Sequence, residues 1–253
     1  MPRIHWTEDQ LILALNLYCK IPFGSIQAGN PKIIELAHLI GRSSNALALK
    51  LSNFASFDPV LKARGVTGLA NASKLDREVW NRFFGNLDQL AFESELLLAQ
   101  KQQRSVEHWL LDEEKQLPEG KTKERLVKQR VNQQFFRSMI LNFYNRTCCI
   151  TGVSHSDLLV AAHISPWSAD PENRMNPANG LCLNPLHDKA YEAGLITITP
   201  DYRVLVSSEI AKLKGNWTQE HFTRYHEQTI RLPKHFAPRP ELLERHVQER
   251  FKR

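Results

Sequence analysis

Near residue 147 the hydrophobic pattern of this 253-residue chain changes from helical spacing to short apolar runs separated by polar turns. Residues 147–153 and 158–164 are typical of two short strands joined by the turn "SHSD". Residues 176–194 begin with turn-forming residues and then become helical, and residues 195–207 hold two further short strands. This order, following a helical half, predicts an α+β chain.

Before this change the sequence predicts a small all-helical unit. Residues 6–20 place apolar side chains at helical spacing, with Thr7 as a good N-cap. A second helix is expected to start at Pro31 and stop at Gly41, because proline suits the first helical position and glycine the C-terminal stop. Further helices are predicted within residues 42–57 and 75–97.

The turn "GRSS" between the second and third helices is compatible with helix-turn-helix geometry, in which the later helix presents polar side chains to a DNA groove. On that helix Lys50 and Asn53 are the candidate DNA-binding residues. The alternative is a purely structural or dimerising role, since any compact helical bundle can produce this pattern.

Charge is unevenly distributed along the chain. Residues 92–119 hold seven acids and three bases, residues 120–137 hold six bases and one acid, and residues 230–253 hold seven Lys or Arg and three acids. Such runs are either solvated helix faces or a phosphate-contacting surface beside an active site. For the second interpretation, which suits the net charge of +6, the candidates in the middle run are Lys121, Lys123, Arg125, Lys128 and Arg130.

Composition and end signals exclude several classes of protein. No run approaches 18 apolar residues, which predicts no membrane span, and the polar start "MPRIHWTEDQ" is unlike a signal peptide. We therefore expect a cytoplasmic, nucleoid-associated protein. The cysteines lack the paired C-x-x-C spacing of a zinc ribbon, so we expect reduced thiols and no structural zinc; they are Cys19, Cys148, Cys149 and Cys182.

Two histidines and an asparagine stand out in the region of short strands. His163 ends an apolar run, Asn179 follows sixteen residues later, and His187 follows eight residues after that on the predicted helix. A neutral imidazole can take a proton from water near pH 7, and a second imidazole can bind a divalent metal. An asparagine can fix the intervening loop through backbone hydrogen bonds. Together these are sufficient parts for phosphodiester hydrolysis.

Residues 146–198 resemble the HNH endonucleases, which have the ββα-metal fold. The resemblance rests on "CCITG" at 148–152, "AAHISPWS" at 161–168, "DPENR" at 170–174, "PANGL" at 177–181 and "LHDKAYEAGLITI" at 186–198. The tail segments "LPKHFAPRP" and "LLERHVQERF" are similar to the C-terminal region of this subgroup. More loosely, "WTEDQLILALNLY", "GRSSNALALKLSNFASFDP" and "RGVTGL" resemble the leading domain of some bacterial HNH restriction-type nucleases.

The resemblance implies a role for each matching residue. His163 corresponds to the general base that activates water, and Asn179 to the residue that orders the loop. His187 corresponds to a ligand of the catalytic metal, commonly Mg²⁺ or Mn²⁺.

One departure concerns the metal. Many HNH enzymes carry a second ligand just before the base, where this chain has Ala162, which cannot bind a metal. Asp188 and Glu192 are the nearby candidates for that ligand. A further departure is that the Cys₄ zinc site of many HNH proteins is missing.

Arg174 lies in the loop between the base and the asparagine. It is a candidate catalytic residue that contacts the scissile phosphate or its neighbour, because arginine suits bidentate phosphate recognition. The alternative is a salt bridge to Asp170 or Glu172 in the same loop.

From the motifs we predict three parts: a helical DNA-contact or specificity domain at 1–90, a helical linker at 91–135 broken near "LPEGKT", and an HNH nuclease domain with a basic tail at 136–253. The expected activity is metal-dependent cleavage of double-stranded DNA by a restriction or defence nuclease. The sequence leaves open whether the target DNA must carry a modified base. A non-catalytic DNA-binding protein that retains the fold and a nonspecific nicking nuclease are the alternatives. Because one active site cuts one strand, we expect a homodimer.

Overall fold

A computed structural model of the chain describes residues 5–63, 65, 72–115, 120–233 and 235–253. Residues 117–119 of the predicted break, and all of "RGVTGL" except Gly65, lie outside these ranges. The chain divides into two compact units, Met1–Met139 and Ile140–Arg253. Helices dominate, and two small two-stranded sheets accompany them, which fits the predicted α+β class. None of the helices in the described ranges is both long and apolar enough to cross a membrane.

The first unit is built from helices. They are α1 (Glu8–Lys20), α2 (Pro31–Leu39), α3 (Ser44–Ala55), α4 (Pro59–Ala63), α5 (Lys74–Phe83), α6 (Leu87–Lys101), α7 (Asp112–Lys115) and α8 (Lys121–Phe143), the last of which ends in the second unit. The predicted N-cap Thr7 is confirmed and forms a capping box with Gln10; α3 begins after Ser43, whose hydroxyl accepts from the Ala46 N–H.

α1 is the centre of this first unit. It packs against α2, α3, α5 and α6, and its residues 11–15 are buried almost completely. This burial on more than one side explains why the helix has apolar residues over most of its surface rather than along one narrow stripe.

The second unit contains the strands. Its elements are β1 (Val160–His163), β2 (Gly180–Leu183), α9 (Pro185–Glu192), β3 (Ile196–Ile198), β4 (Val204–Val206), α10 (Ser208–Ala211), α11 (Asn216–His221) and α12 (Pro240–Glu249). β1 pairs antiparallel with β2, and β3 with β4. α9 packs on β1 and β3, and α12 packs on β3. The predicted stop of α9 is confirmed at Gly194, which has φ +71°.

The predicted strand at residues 147–153 is wrong. The Cys148 N–H donates to the Val153 carbonyl (2.8 Å) and the Gly152 N–H to the Cys148 carbonyl (3.0 Å), which closes a tight turn. The strand that pairs with β1 is instead β2, where we predicted loop. Its four residues are all buried, so the alternation typical of a half-buried strand is missing. The Cys149 N–H donates to the Cys182 carbonyl and attaches the turn to β2.

The predicted functional division into 1–90, 91–135 and 136–253 stays a prediction. Residues 91–135 belong to the first compact unit, and α6 begins at Leu87, ahead of the predicted linker. α6 packs on α1 and contributes Leu90 and Ala91 to the buried core of that unit.

Candidate active-site cleft

His163 occupies the last position of β1, opposite Gly180 of β2. Its ring Nε2 lies 2.9 Å from the carbonyl oxygen of Arg174, and the ring meets that of Trp167 edge-on at 5.4 Å between centroids. A carbonyl only accepts, so Nε2 carries the proton in the neutral ring, and Nδ1 is the nitrogen that can take one up. Burial lowers the pKa of His163 below 6.5, against a smaller opposing effect of the Arg174 carbonyl. The ring is therefore a neutral base near pH 7.

Asn179 fixes the loop that follows β1. The side chain is completely buried; its Oδ1 accepts from the Ser165 N–H (2.8 Å), and its Nδ2 donates to the carbonyls of Ser165 and Asn173 (3.1 Å each). The Asn179 carbonyl also accepts from the Ile164 N–H, directly after His163. The three side-chain hydrogen bonds of Asn179 thus hold the two ends of the loop 164–179 together. This arrangement matches the loop-ordering role that the resemblance implies.

His187 lies on α9 but is turned into the interior of the unit. Its exposed fraction is 2%, and its ring packs edge-on against Phe222 and Tyr225. Nε2 lies 2.7 Å from the His221 carbonyl, and Nδ1 lies 3.1 Å from the side-chain Nδ2 of Asn184, the N-cap of α9. Both ring nitrogens are therefore engaged in hydrogen bonds within the fold.

The thiol of Cys148 is a further neighbour of this histidine. Burial alone would raise the pKa of that thiol, but hydrogen bonding with His187 and Thr151 outweighs it and lowers the pKa to about 7. His187 is thus enclosed by hydrogen-bonding partners within the fold.

A cleft of about 460 Å³ opens between β1 and α9, on the other side of that helix. His163 lines it from the strand, and Ala162 lies beside it. Its polar lining is His163, Asp188, Lys189, Glu192, His246 and Arg250. Because Asp188 and Glu192 are four residues apart on a helix, they share one face. The structure thus brings the predicted base together with the two candidate carboxylates.

The two carboxylates influence each other. Burial, followed by the charge of Glu192, raises the pKa of Asp188 to about 6, against a smaller opposing effect of Lys189. A pair of acids whose charges disfavour one another in a cleft is an environment that a cation would stabilise.

The donor set of the cleft fits a hard divalent cation in part. Asp188 and Glu192 supply carboxylate oxygens, the ligand type that Mg²⁺ prefers, and Mg²⁺ commonly binds through one or two carboxylates with water and substrate phosphate. Within the described ranges, no group of three or more His, Cys, Asp or Glu side chains has the arrangement of a metal site. Both ring nitrogens of His187 are hydrogen-bonded within the fold, so binding a metal would break one of these bonds, and its role as a ligand stays a prediction.

Arg174 lies at the edge of the His163 loop. Its Nε donates to the Trp167 carbonyl (2.6 Å), and its guanidinium lies 5.6 Å from the centre of the Trp167 ring. The alternative salt bridge to Asp170 is not observed: Asp170 instead pairs with Arg245 and accepts from Asn173. The guanidinium is thus held by the carbonyl and the ring of Trp167, the residue whose ring also contacts His163.

Lys50 and Asn53 lie on α3, but both are buried. Lys50 Nζ lies 2.7 Å from Asp76 Oδ1, and Asn53 Nδ2 donates to Asp76 Oδ2 (3.1 Å). The carboxylate of Asp76 is completely buried and also belongs to the capping box that starts α5. These two side chains therefore join α3 to α5 inside the first unit. Since both are buried, they are not presented to a DNA groove and are not part of the proposed DNA interface.

The basic run at the start of α8 is partly neutralised within the first unit. Three of its five candidates are paired with acids of the preceding segment: Lys123 with Glu107 (2.9 Å), Lys128 with Asp88 (3.6 Å) and Arg130 with Glu114 (2.6 Å). Lys121 and Arg125 are exposed, and no described carboxylate pairs with either. The remaining positive surface of this run is therefore smaller than its sequence suggests.

The contribution of the C-terminal helix to the cleft was missed. His246 of α12 stacks on Tyr191 of α9, with ring centroids 3.8 Å apart and planes within 10°, and its Nδ1 lies 2.8 Å from Thr197 Oγ1. Burial lowers the pKa of His246 to about 4, so the ring is neutral. Arg250, just after the helix, also lines the cleft. No local sequence pattern predicts that α12 packs against α9, because the two helices are far apart in the chain. The resemblance of the tail segments to the HNH subgroup is the one signal that indicates a role for this region.

Comparison with known proteins adds one finding. A search of curated proteins gives no match to the chain. Residues 148–199 match the model of a family described as HNH endonuclease. The matched segment includes β1, β2, α9 and β3 and carries His163, Asn179 and Asp188. This match supports the assignment of residues 148–199 to the HNH endonuclease family.

Proposed function

We propose that the protein is a metal-dependent endonuclease of the HNH type that hydrolyses phosphodiester bonds of double-stranded DNA. The observation that carries this proposal is the placement of His163 and Asp188 on opposite walls of one cleft, within the segment that matches the HNH family. A neutral imidazole and carboxylates facing one another supply a base and a cation site for hydrolysis of a phosphodiester.

His163 is the proposed general base. Its Nε2–H is committed to the Arg174 carbonyl, which holds the ring in the orientation and tautomer in which Nδ1 accepts a proton. The lowered pKa keeps the ring neutral at pH 7, so that it removes the proton of a water molecule as that water attacks phosphorus. Asn179 maintains this geometry by anchoring the backbone two residues after His163.

Asp188 is the proposed principal metal-holding residue, with Glu192 as its partner one turn further along α9. A divalent cation held there would stabilise negative charge on the attacked phosphate and on the leaving oxygen. With Asp188 and Glu192 as ligands, the cation site does not need a ligand at position 162, where the chain has an alanine. His187 then has a structural role in the interior of the unit.

Arg174 is the proposed contact to a phosphate next to the attacked one. It lies beside His163, and its guanidinium is not in a salt bridge with the acids of its own loop. Lys121 and Arg125 are the proposed auxiliary DNA contacts of the first unit. Cleavage of both strands would require a homodimer, and a restriction or defence role, with or without a modified base in the target, is the biological setting we propose.

The proposal is tested with supercoiled plasmids from methylating and non-methylating hosts, incubated with the purified protein and Mn²⁺. We expect nicked or linear products that EDTA abolishes, and sequencing of the product ends then defines the target. If no plasmid, modified or unmodified, is cut while DNA is still bound, the proposal is contradicted in favour of a non-catalytic DNA-binding protein.

A further inference from the structure

Arg250 belongs to the C-terminal segment, outside the residues that match the HNH family, yet its side chain lines the cleft that holds His163 and Asp188. The cleft lining contains two permanently charged cations, Lys189 and Arg250. Lys189 pairs with Glu192 at 3.3 Å. Arg250 differs, because within the described ranges it has no carboxylate partner.

A backbone carbonyl holds the guanidinium of Arg250 in place. Its Nη2 donates to the carbonyl oxygen of Glu192 at 2.9 Å. A guanidinium has five N–H donors, so this single hydrogen bond fixes its position and leaves most of the donors directed elsewhere. The carbonyl does not neutralise the charge of the guanidinium, so this charge remains available to an anion in the cleft.

The backbone around Arg250 is fixed just as closely. The Lys252 N–H donates to the Gly194 carbonyl (2.9 Å), and the N–H groups of Arg250 and Phe251 both donate to the His246 carbonyl (3.1 Å each). The Arg250 carbonyl approaches Gly194 so closely that a Cβ there would lie 2.0 Å from it. These contacts fix the position of the segment against the end of α9, and this position places the Arg250 side chain at the cleft.

We propose that Arg250 is a phosphate-contacting residue of the nuclease cleft, which binds the nucleic-acid backbone beside the bond that is cut. This inference rests on the proposed function and extends its site to the C-terminal segment. An arginine with an uncommitted fork of donors is suited to a phosphate, which it can contact through two parallel hydrogen bonds. It would also offset the negative charge of Asp188 and Glu192, which otherwise repels the DNA backbone.

The test measures binding of a fluorescein-labelled DNA duplex by anisotropy at several salt concentrations, in the His163→Ala background so that no cleavage occurs. The variants are Arg250→Gln, Arg250→Lys and the control Arg253→Gln, which removes the same charge from an exposed position outside the cleft lining. We expect Arg250→Gln to weaken binding on the order of tenfold and to lower the salt slope by about one. Arg250→Lys should keep the wild-type slope, and Arg253→Gln should match the parent.

The inference is overturned if Arg250→Gln binds like Arg253→Gln, or if Arg250→Lys loses the salt slope as fully as Arg250→Gln, because the side chain would then act only through the fold. Thermal unfolding of each variant checks that the tail remains docked. Plasmid cleavage by the protein with His163 intact is measured alongside. If that protein cuts no DNA while Arg250→Gln alone weakens binding, the proposed function fails but the phosphate contact stands.

Discussion

Two adjacent residues of α9, His187 and Asp188, point to different sides of the helix and have different surroundings. His187 is enclosed by Asn184, His221 and two aromatic rings, whereas Asp188 lines the cleft with His163. A helix turns about 100° per residue, so neighbouring positions cannot share one face. The chemistry that the sequence motif assigns to the histidine is therefore available, in this fold, to the aspartate.

This difference predicts opposite outcomes for the two substitutions. Asp188→Asn should raise the Mn²⁺ dissociation constant by at least about tenfold and lower kcat on the order of a hundredfold, with little change in Tm. His187→Gln should lower the free energy of unfolding by about 2–3 kcal/mol, because it removes buried hydrogen bonds. Calorimetric Mn²⁺ titration and thermal unfolding of both variants check this. Loss of Mn²⁺ binding in a well-folded His187→Gln protein would restore the histidine as ligand.

The environment of His163 predicts the pH dependence of cleavage. Burial lowers its pKa below 6.5, and only the neutral ring accepts a proton. Activity should therefore be fully present above pH 6.5 and should fall as the pH decreases through the lowered pKa. The measurement is kcat/KM at saturating Mn²⁺ between about pH 5 and pH 8. A rate that still rises steeply above about pH 7.5 would assign the base to a different group.

The end of α9 and the segment after α12 contact each other at Gly194. Gly194 has φ +71°, a conformation that favours glycine, and the Arg250 carbonyl fills the space that a side chain would need. The stop of α9 and the docking of the tail thus depend on the same residue.

Gly194→Ala should therefore destabilise the second unit by at least about 2 kcal/mol, through backbone strain and displacement of the tail. The amide of Lys252, which donates to the Gly194 carbonyl, should exchange its hydrogen faster. Gly29→Ala is the control, since a Cβ there meets nothing within 4 Å. Unfolding in urea and hydrogen exchange measure both effects. Equal stability of the Gly194→Ala and wild-type proteins would show that the tail does not depend on this contact.

The elements show what sequence patterns can and cannot predict. Helices with strong local signals were predicted well, because Thr7 and Ser43 cap them and Gly41 and Gly194 end them through purely local interactions. β2 was missed because its pairing with β1 is not local and its complete burial removes the alternating pattern. Likewise, the order of His163, Asn179 and His187 indicates a candidate site, but only the rotation of α9 shows which of its side chains lines the cleft.

At the scale of the whole molecule, the charge runs illustrate the same limit. The acidic and basic segments are visible in the sequence, but the ion pairs of Lys123 and Arg130 with the acidic segment, and of Lys128 with Asp88 outside it, depend on the fold. Much of the positive charge of the first unit is therefore balanced within that unit. Lys121 and Arg125 remain exposed and outside any ion pair with a described residue.

A pair of double variants tests which of these charges meet DNA. Lys121→Gln with Arg125→Gln should weaken duplex binding about three- to tenfold and lower the salt slope by about two. Lys123→Gln with Lys128→Gln removes the same charge but breaks intramolecular pairs, so it should change the affinity less than about twofold. Anisotropy titrations at several salt concentrations compare them. If both double variants bind like the wild type, α8 is not part of the DNA interface.

The rate of Mn²⁺-dependent plasmid cleavage by His163→Ala measures whether His163 activates water in the nuclease cleft. His155→Ala, at an exposed histidine outside the cleft lining, is the matched control. We expect His163→Ala to cut at least about a hundredfold more slowly than the wild type, while its Tm and duplex binding are unchanged and the control retains wild-type activity. Cleavage by His163→Ala within about threefold of the wild-type rate would contradict the account.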